Sequence, residues 1–159
     1  MQWKDSTLRL GTSSWTAKGW GGKFYEAGMK PRDFIAEYAK HFSTVEVDAS
    51  FYGVPKKTTL EHWRDSTPKG FLFAAKAPRA ITHDRFLVGC GQDLDKILVA
   101  MDVLGEKAGP LLFQFPYFAK RTGITLQAFL YRLAPFLKLL PKDEDRRFAV
   151  EVRNKAWLT

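Results

Sequence analysis

Five short apolar runs separated by amphipathic stretches constrain the fold of this chain more than any other feature of its sequence. The runs lie at residues 7–11, 44–48, 71–76, 110–116 and 147–153. They are rich in Val, Leu and Phe, as is typical of strands buried in a parallel sheet. The stretches between them place apolar side chains at helical spacing, over residues 30–42, 57–66, 93–105 and 124–140. This alternation predicts an α/β fold whose parallel strands are joined by helical crossovers.

The ends of the helices are predicted from capping residues and prolines. Pro31 suits a first helical position, and Thr58 or Thr59 is expected to begin the second helix. Asp93 is expected to cap the third helix, and Pro135 to disturb the fourth.

The phase of the polar residues along the strands distinguishes two kinds of α/β fold. A doubly wound sheet is covered by helices on both faces, whereas a (β/α) barrel can carry polar residues on its inner face, near the carboxyl ends of the strands. If Val45 and Val47 face helices, then Glu46 and Asp48 point inward. The same phase turns four further side chains inward, namely Lys76, Gln114, Glu151 and Arg153. The pattern therefore favours a barrel with a polar site at the carboxyl ends of its strands.

Charged side chains inside a barrel must pair with one another or bind something, because burying an unpaired charge is expensive. Two interpretations stay open from the residues alone. The first is a salt-bridged structural network, and the second is a ligand or catalytic site.

Three titratable residues are candidates for acid–base chemistry. Glu46 and Glu151 are opposed carboxylates that could serve as acid and base, and His83 lies in a loop after the third strand. Lys76 and Arg153 are candidates to hold a phosphate or carboxylate group. No spaced ligand motif indicates a metal, and neither a phosphate loop nor a dinucleotide fingerprint indicates a cofactor.

The formal net charge of +8 favours anionic partners, which include small molecules and nucleic acid. Aromatic residues after the strands could stack on a base or a sugar. One cysteine, Cys90, excludes an internal disulfide. The beginning of the sequence shows no apolar leader, and no apolar run is long enough to span a membrane, so we expect a cytoplasmic protein.

Seven motifs resemble the YecE-like family: "LGTSSW", "GWGGKFY", "YAKHFSTVEVDASFYGVP", "HWRDSTPKGFLFAAKAP", "ITHD", "EKAGPLLFQFP" and "FAVEVRNKAW". The resemblance implies a TIM-type barrel of about 250 residues. The chain corresponds to about the first five β/α units, so residues 1–159 are expected to form one partial barrel domain. It is either a fragment of a longer chain, which we favour, or a barrel completed by a partner. By motif match, the shared pocket comprises Ser13, Trp15, Glu46, Ser50, Phe51, Tyr52, Lys76, Thr82, His83, Gln114, Glu151 and Arg153.

The resemblance implies a fold and a pocket but no activity, and three hypotheses follow. The first is an acid–base enzyme of hydrolase type, in which Glu46, Glu151 and His83 act on an anionic substrate bearing phosphate or sugar. The alternative is a nucleic-acid or nucleotide binding module without catalysis. In the third, the polar interior is structural. The sequence leaves the oligomeric state open.

Overall fold

Four parallel strands form the centre of the fold, which the computed structural model describes over residues 8–143 and 145–158. The strands are β1 (Thr44–Val47), β2 (Leu72–Lys76), β3 (Ala108–Gln114) and β4 (Phe148–Glu151), and they pair in the order β1-β2-β3-β4. The α-helices are α1 (Phe34–Tyr38), α2 (Lys57–Asp65), α3 (Gly91–Leu104) and α4 (Leu126–Leu137). All three strand pairs are parallel, which confirms the α/β fold with a parallel sheet.

One face of the sheet is apolar and is covered by the helices. Val45, Val47 and Phe73 are buried on this face. The ring of Phe113 contacts Phe136 of α4 edge to face, with ring centroids 5.0 Å apart. The outward phase predicted for the valines of β1 and for Phe113 is therefore confirmed.

The opposite face of the sheet carries the polar side chains and is less buried. Glu46, Ala74, Leu112, Gln114 and Glu151 lie on it and are half-buried. The sheet is open, since β1 and β4 do not pair with each other. Within the described residues no α-helix follows β4, where there is only a 3₁₀ turn at Lys155–Trp157, and Val150 on the apolar face is 39% exposed.

The first predicted strand is not a regular strand. Thr7 lies outside the described residues, and residues 8–12 run beside β1 without forming a strand. Two backbone bonds connect them to β1 and to the residue before it: the Ser43 amide donates to Leu10 O at 3.3 Å, and the Glu46 amide donates to Thr12 O at 2.9 Å. Gly11 makes this approach possible, since a Cβ there would lie 2.0 Å from the carbonyl oxygen of Thr44.

The helix ends differ in detail from those that the sequence predicts. The segment 30–42 contains a 3₁₀ turn at Pro31–Asp33 followed by the short helix α1. Helix α3 begins at Gly91, with Cys90 at the N-cap position, so Asp93 lies inside the first turn and pairs with Arg85 at 3.0 Å. Asp93 is therefore not the cap.

Helix α4 is capped by a residue that the sequence did not single out. Thr125 precedes it, and its hydroxyl oxygen accepts a bond from the amide of Ala128 at 3.2 Å. The helix continues through Pro135 and ends two residues later, at Leu137.

Among the described residues, no helix combines the length and the apolarity that crossing a bilayer would require.

Candidate functional site

The first polar cluster lies at the carboxyl ends of β1 and β2, and we call it the Lys76 cluster. It contains Glu46, Asp48 and Lys76. Lys76 Nζ lies 2.5 Å from Asp48 Oδ1 and 3.3 Å from Glu46 Oε1. The lysine side chain is only 14% exposed, whereas both carboxylates are more open to solvent. The cluster thus holds one cation between two carboxylates.

The neighbours of Lys76 decide its protonation state. Burial opposes the charged form, but the bonds to Asp48 and Glu46 outweigh it and raise the pKa of Lys76 above its ordinary value. The lysine therefore stays a cation at neutral pH. It cannot act there as a neutral amine nucleophile.

The second polar cluster lies at the carboxyl ends of β3 and β4, and we call it the Gln114 cluster. It contains Gln114, Glu151 and Arg153. Gln114 Nε2 donates to Glu151 Oε2 at 2.8 Å, and Arg153 Nη2 donates to Gln114 Oε1 at 2.9 Å. Arg153 Nε also lies 3.6 Å from Glu151 Oε1. The glutamine amide therefore bridges a carboxylate and a guanidinium group.

The two clusters adjoin on the same face of the sheet. Lys76 is in register with Leu112, which precedes Gln114 by two residues, so Lys76 and Gln114 are diagonal neighbours on β2 and β3. Glu46 and Glu151 stand further apart, because three strand spacings place β1 and β4 roughly 14 Å apart and the register offsets the two residues along the strands as well. Each glutamate is bonded within its own cluster, and their role as an acid–base pair stays a prediction.

His83 belongs to a π-helical turn, Ala80–Asp84, that follows β2. Its Nδ1 lies 2.8 Å from the hydroxyl oxygen of Thr82, and its ring meets the ring of Phe51 edge on, with centroids 5.0 Å apart. Burial and the positive charge of Arg79 lower the pKa of His83, Arg153 lowers it further, and Asp84 opposes them. The imidazole is therefore neutral at pH 7 and can accept a proton.

Ser50 has a structural position within the predicted pocket. It is buried in the 3₁₀ turn Asp48–Phe51 that follows β1. Its hydroxyl oxygen lies 2.7 Å from Val47 O and 2.7 Å from Lys76 O. Because these carbonyls compete for the one hydroxyl hydrogen, Ser50 ties the ends of β1 and β2 together and has no hydrogen left for a ligand.

The remaining predicted pocket residues are Trp15, Ser13 and Tyr52. The ring of Trp15 packs edge on against Trp63 of α2, with centroids 4.8 Å apart, and Trp63 stacks over Phe73 on the helix-covered face. Ser13 is exposed. Tyr52 follows the 3₁₀ turn after β1 and exposes 80% of its surface.

Sequence reasoning missed Asn154, which lies just beyond β4. Its side chain is buried, accepts a bond from the amide of Phe118 at 2.9 Å and donates to the carbonyl of Phe118 at 2.9 Å. This pair of bonds joins the loops that follow β3 and β4. The only signal in the sequence is an asparagine just after a predicted strand, which many turns share.

Neither a metal site nor a reactive thiol is apparent in the described part of the chain. Within residues 8–143 and 145–158, no group of three or more His, Cys, Asp and Glu side chains is placed to hold a metal ion. Cys90 is buried, and that burial raises the pKa of its thiol.

A cavity of about 590 Å³ lies at the other end of the strands, lined in part by Arg9, Asp102 and Arg146. Arg146 pairs there with Asp102 at 2.7 Å. This cavity contains no member of either polar cluster.

The chain is similar in sequence to a family described as "Protein of unknown function DUF72", whose model matches residues 9–159. It is 32% identical to the UPF0759 protein YecE of Escherichia coli (strain K12) over 121 residues, which are 76% of this chain and 41% of that protein. It is 28% identical to the UPF0759 protein YunF of Bacillus subtilis (strain 168) over 151 residues, which are 89% of this chain and 50% of that protein. The chain thus spans half the length of these relatives or less.

Crystal structures of DUF72 family proteins are similar to this fold. The one from Enterococcus faecalis V583 superposes with a TM-score of 0.65 at 26% identity, over 96% of this chain and 53% of that chain. The one from Thermotoga maritima MSB8 superposes with a TM-score of 0.69 at 24% identity, over 90% of this chain and 54% of that chain.

Proposed function

We propose a function from the premise that this chain belongs to the DUF72 family of proteins of unknown function. The proposed function is acid–base catalysis of hydrolase type on a substrate that bears sugar or phosphate groups. The substrate would bind at the carboxyl ends of the strands. Because the chain spans half the length of its relatives or less, the activity is proposed for the whole protein.

A TIM-type (β/α) barrel is the proposed fold of that whole protein. The described sheet has parallel strands in chain order, with helices on one face and polar groups on the other. A (β/α) barrel requires this arrangement. The relatives are about twice as long or longer, which leaves room for the remaining strands. Barrel enzymes keep their active sites at the carboxyl ends of the strands.

One observation carries the proposal: the Lys76 cluster and the Gln114 cluster adjoin at that end of the sheet. Four strands contribute to them, and each cluster consists of three residues that interact directly. A structural network would equally satisfy these charges, so catalysis requires groups that remain free to exchange protons. Each carboxylate keeps oxygen lone pairs exposed to solvent, and His83 keeps a neutral ring.

The proposed proton transfers are assigned to Glu151 and His83. Glu151 is oriented by the amide of Gln114, and the positive charge of Arg153 acts on both Glu151 and His83. The neutral imidazole would serve as base. Glu46 is a further acid–base candidate, whereas Lys76 is a fixed positive charge because it stays protonated.

The test uses the full-length protein and a panel of 4-nitrophenyl glycosides together with bis(4-nitrophenyl) phosphate. With the best substrate of that panel, Glu151→Gln and His83→Asn are each expected to lower kcat by about 100-fold. Glu106→Gln, an exposed carboxylate beside the amino end of β3, is the matched control and is expected to leave kcat unchanged. Unchanged turnover in Glu151→Gln, with the same substrate, would rule out the proposed role.

Binding of nucleic acid or nucleotides without catalysis is the second candidate, and the formal net charge of +8 favours it. Electrostatic binding of this kind weakens steeply with salt. A single-stranded oligonucleotide that binds the full-length protein equally at 50 and 300 mM salt, or not at all, would exclude this candidate.

A further inference from the structure

We infer that the substrate of this site is an uncharged carbohydrate whose ring stacks on Tyr52 while its hydroxyl groups bond to the two polar clusters. The inference rests on the proposed function and narrows its substrate class. Three observations support it, and they concern the charge, the hydrogen-bonding groups and the aromatic rim of the site.

The charge of the site opposes a strongly anionic ligand. Three carboxylates face two cations, because Lys76 is shared by Glu46 and Asp48 and Arg153 is paired with Glu151. His83 adds no positive charge at neutral pH. The positive charge of the whole chain is therefore not concentrated here, and a phosphate dianion would have to displace existing ion pairs.

The hydrogen-bonding groups of the site match hydroxyl groups, which both donate and accept. The Asp48 and Glu151 side chains are 45% and 42% exposed, and an ionised carboxylate offers about four lone-pair positions. Arg153 has five N–H donors, of which only those on Nη2 and Nε face partners within the cluster. Fixed acceptors and donors thus lie side by side, as recognition of a polyhydroxylated ring requires.

Tyr52 supplies an aromatic surface directly after the turn that begins with Asp48 of the Lys76 cluster. It is 80% exposed, and Phe51 supports it with a perpendicular ring 5.2 Å away. Phe51 in turn contacts the ring of His83. A sugar ring presents apolar C–H groups on its faces, and an exposed tyrosine ring suits them because it is apolar on its face and polar only at its tip.

The experiment measures binding of cellohexaose, maltohexaose and xylohexaose to the full-length protein by saturation-transfer NMR and calorimetry. At least one neutral oligosaccharide is expected to bind, and glucose 6-phosphate is expected to bind at least 10-fold more weakly than that ligand. Tyr52→Ala is expected to weaken oligosaccharide binding at least 10-fold, whereas Tyr52→Phe keeps it within 2-fold. The control is Tyr131→Ala on α4, since Tyr131 is 85% exposed but lies on a helix away from the clusters.

The outcomes separate this inference from the proposed function. If glucose 6-phosphate binds more tightly than every neutral sugar and turnover still depends on Glu151, the carbohydrate inference is overturned and the acid–base function stands. If neutral sugars bind through Tyr52 but Glu151→Gln leaves turnover unchanged, the binding chemistry stands and the catalytic assignment fails. Equal loss of binding in Tyr52→Ala and Tyr131→Ala, or no carbohydrate binding at all, overturns the inference.

Discussion

Gln114 and Glu151 are paired twice, once through the register of β3 and β4 and once through a 2.8 Å bond between their side chains. The second bond of the amide, from Arg153 to Gln114 Oε1, fixes which end of the amide faces which charge. The nitrogen end must face the carboxylate and the oxygen end must face the guanidinium group. The neutral Gln114 side chain thereby holds the charged side chains of Glu151 and Arg153 in place.

This bridge predicts an energetic coupling between Gln114 and Arg153. In a double-mutant cycle of Gln114→Leu and Arg153→Met, the changes in the free energy of unfolding are expected to deviate from additivity by about 1 kcal/mol. The reason is that each single substitution removes the same bond between Arg153 and Gln114, so the double variant loses that bond only once. Urea unfolding of the four proteins measures it. Pairing Gln114→Leu with Lys155→Met, an exposed lysine after β4, is the control and should be additive. Additivity in both cycles would show that the bridge contributes nothing.

Lys76 is predicted to stabilise the fold by separating Glu46 from Asp48. Lys76→Met leaves two carboxylates without their shared cation, and we expect it to lower the free energy of unfolding by about 1–2 kcal/mol. The effect is smaller than for a fully buried ion pair because both carboxylates reach solvent. The matched control is Lys57→Met, whose lysine is 75% exposed and pairs with Glu61 at 3.8 Å, and its effect is expected to be near zero. Equal effects of the two substitutions in urea unfolding would contradict this role.

The stabilisation by Lys76 should also depend on pH at the alkaline end. Its pKa is raised in the folded state, so the folded protein holds this proton more tightly than the unfolded chain does. The contribution is therefore fully present below the ordinary lysine pKa of about 10.4, and it is lost as pH rises through the folded value. We expect the stability difference between the wild type and Lys76→Met to be constant from pH 7 to 9 and to shrink above pH 10. A stability difference that grows above pH 10 would contradict a pKa of Lys76 that is raised on folding.

The α/β fold with a parallel sheet and the composition of its polar face were predictable from the sequence, because apolar runs alternate with helical stretches and strands alternate their side chains with a period of two. Val45 and Val47 lie on the apolar face and Glu46 on the polar one, as that period requires. The partners of each charge were not predictable in the same way. Whether Lys76 meets Glu46 or Glu151 depends on which strands are neighbours and in what register they pair, which no local pattern encodes.

Loop residues were the least predictable part of the site. Trp15 and Ser50 were assigned to the pocket by motif match. Trp15 instead packs on Trp63, and the Ser50 hydroxyl bonds to two backbone carbonyls. Asn154 joins two loops and was missed altogether. Periodicity ends where a strand ends, so the direction of a loop side chain depends on packing rather than on spacing.

Gly11 is predicted to hold residues 8–12 against β1. A Cβ at this position would meet the carbonyl oxygen of Thr44 at 2.0 Å, so Gly11→Ala must push the two segments apart. The bond from the Glu46 amide to Thr12 O should then break, and hydrogen exchange of that amide is expected to speed up at least 10-fold. Gly91→Ala, at the start of α3 where a Cβ meets nothing within 4 Å, is the control. Unchanged protection of Glu46 in Gly11→Ala would contradict the close approach.

His83 is predicted to titrate below the ordinary histidine pKa of 6.5, because burial, Arg79 and Arg153 lower its pKa and Asp84 opposes them only in part. Arg79 Nε lies 2.9 Å from Asp84 Oδ1, and these two charges act on the imidazole in opposite directions. Arg79→Gln should therefore raise the pKa of His83, and Asp84→Asn should lower it further. Titration of the carbon-bound imidazole protons of His83 by NMR measures both shifts.

The same titration predicts how His83 affects stability. Because the pKa of His83 is lowered on folding, the unfolded chain binds this proton more readily, and stability falls as pH drops from 6.5 toward the folded value. His83→Asn should remove this part of the acid destabilisation and leave stability at pH 8 nearly unchanged. If both charge substitutions shift the pKa of His83 in the same direction, the Arg79–Asp84 pair does not control it. Burial and the positive charge of Arg153 would then account for the lowered pKa of His83.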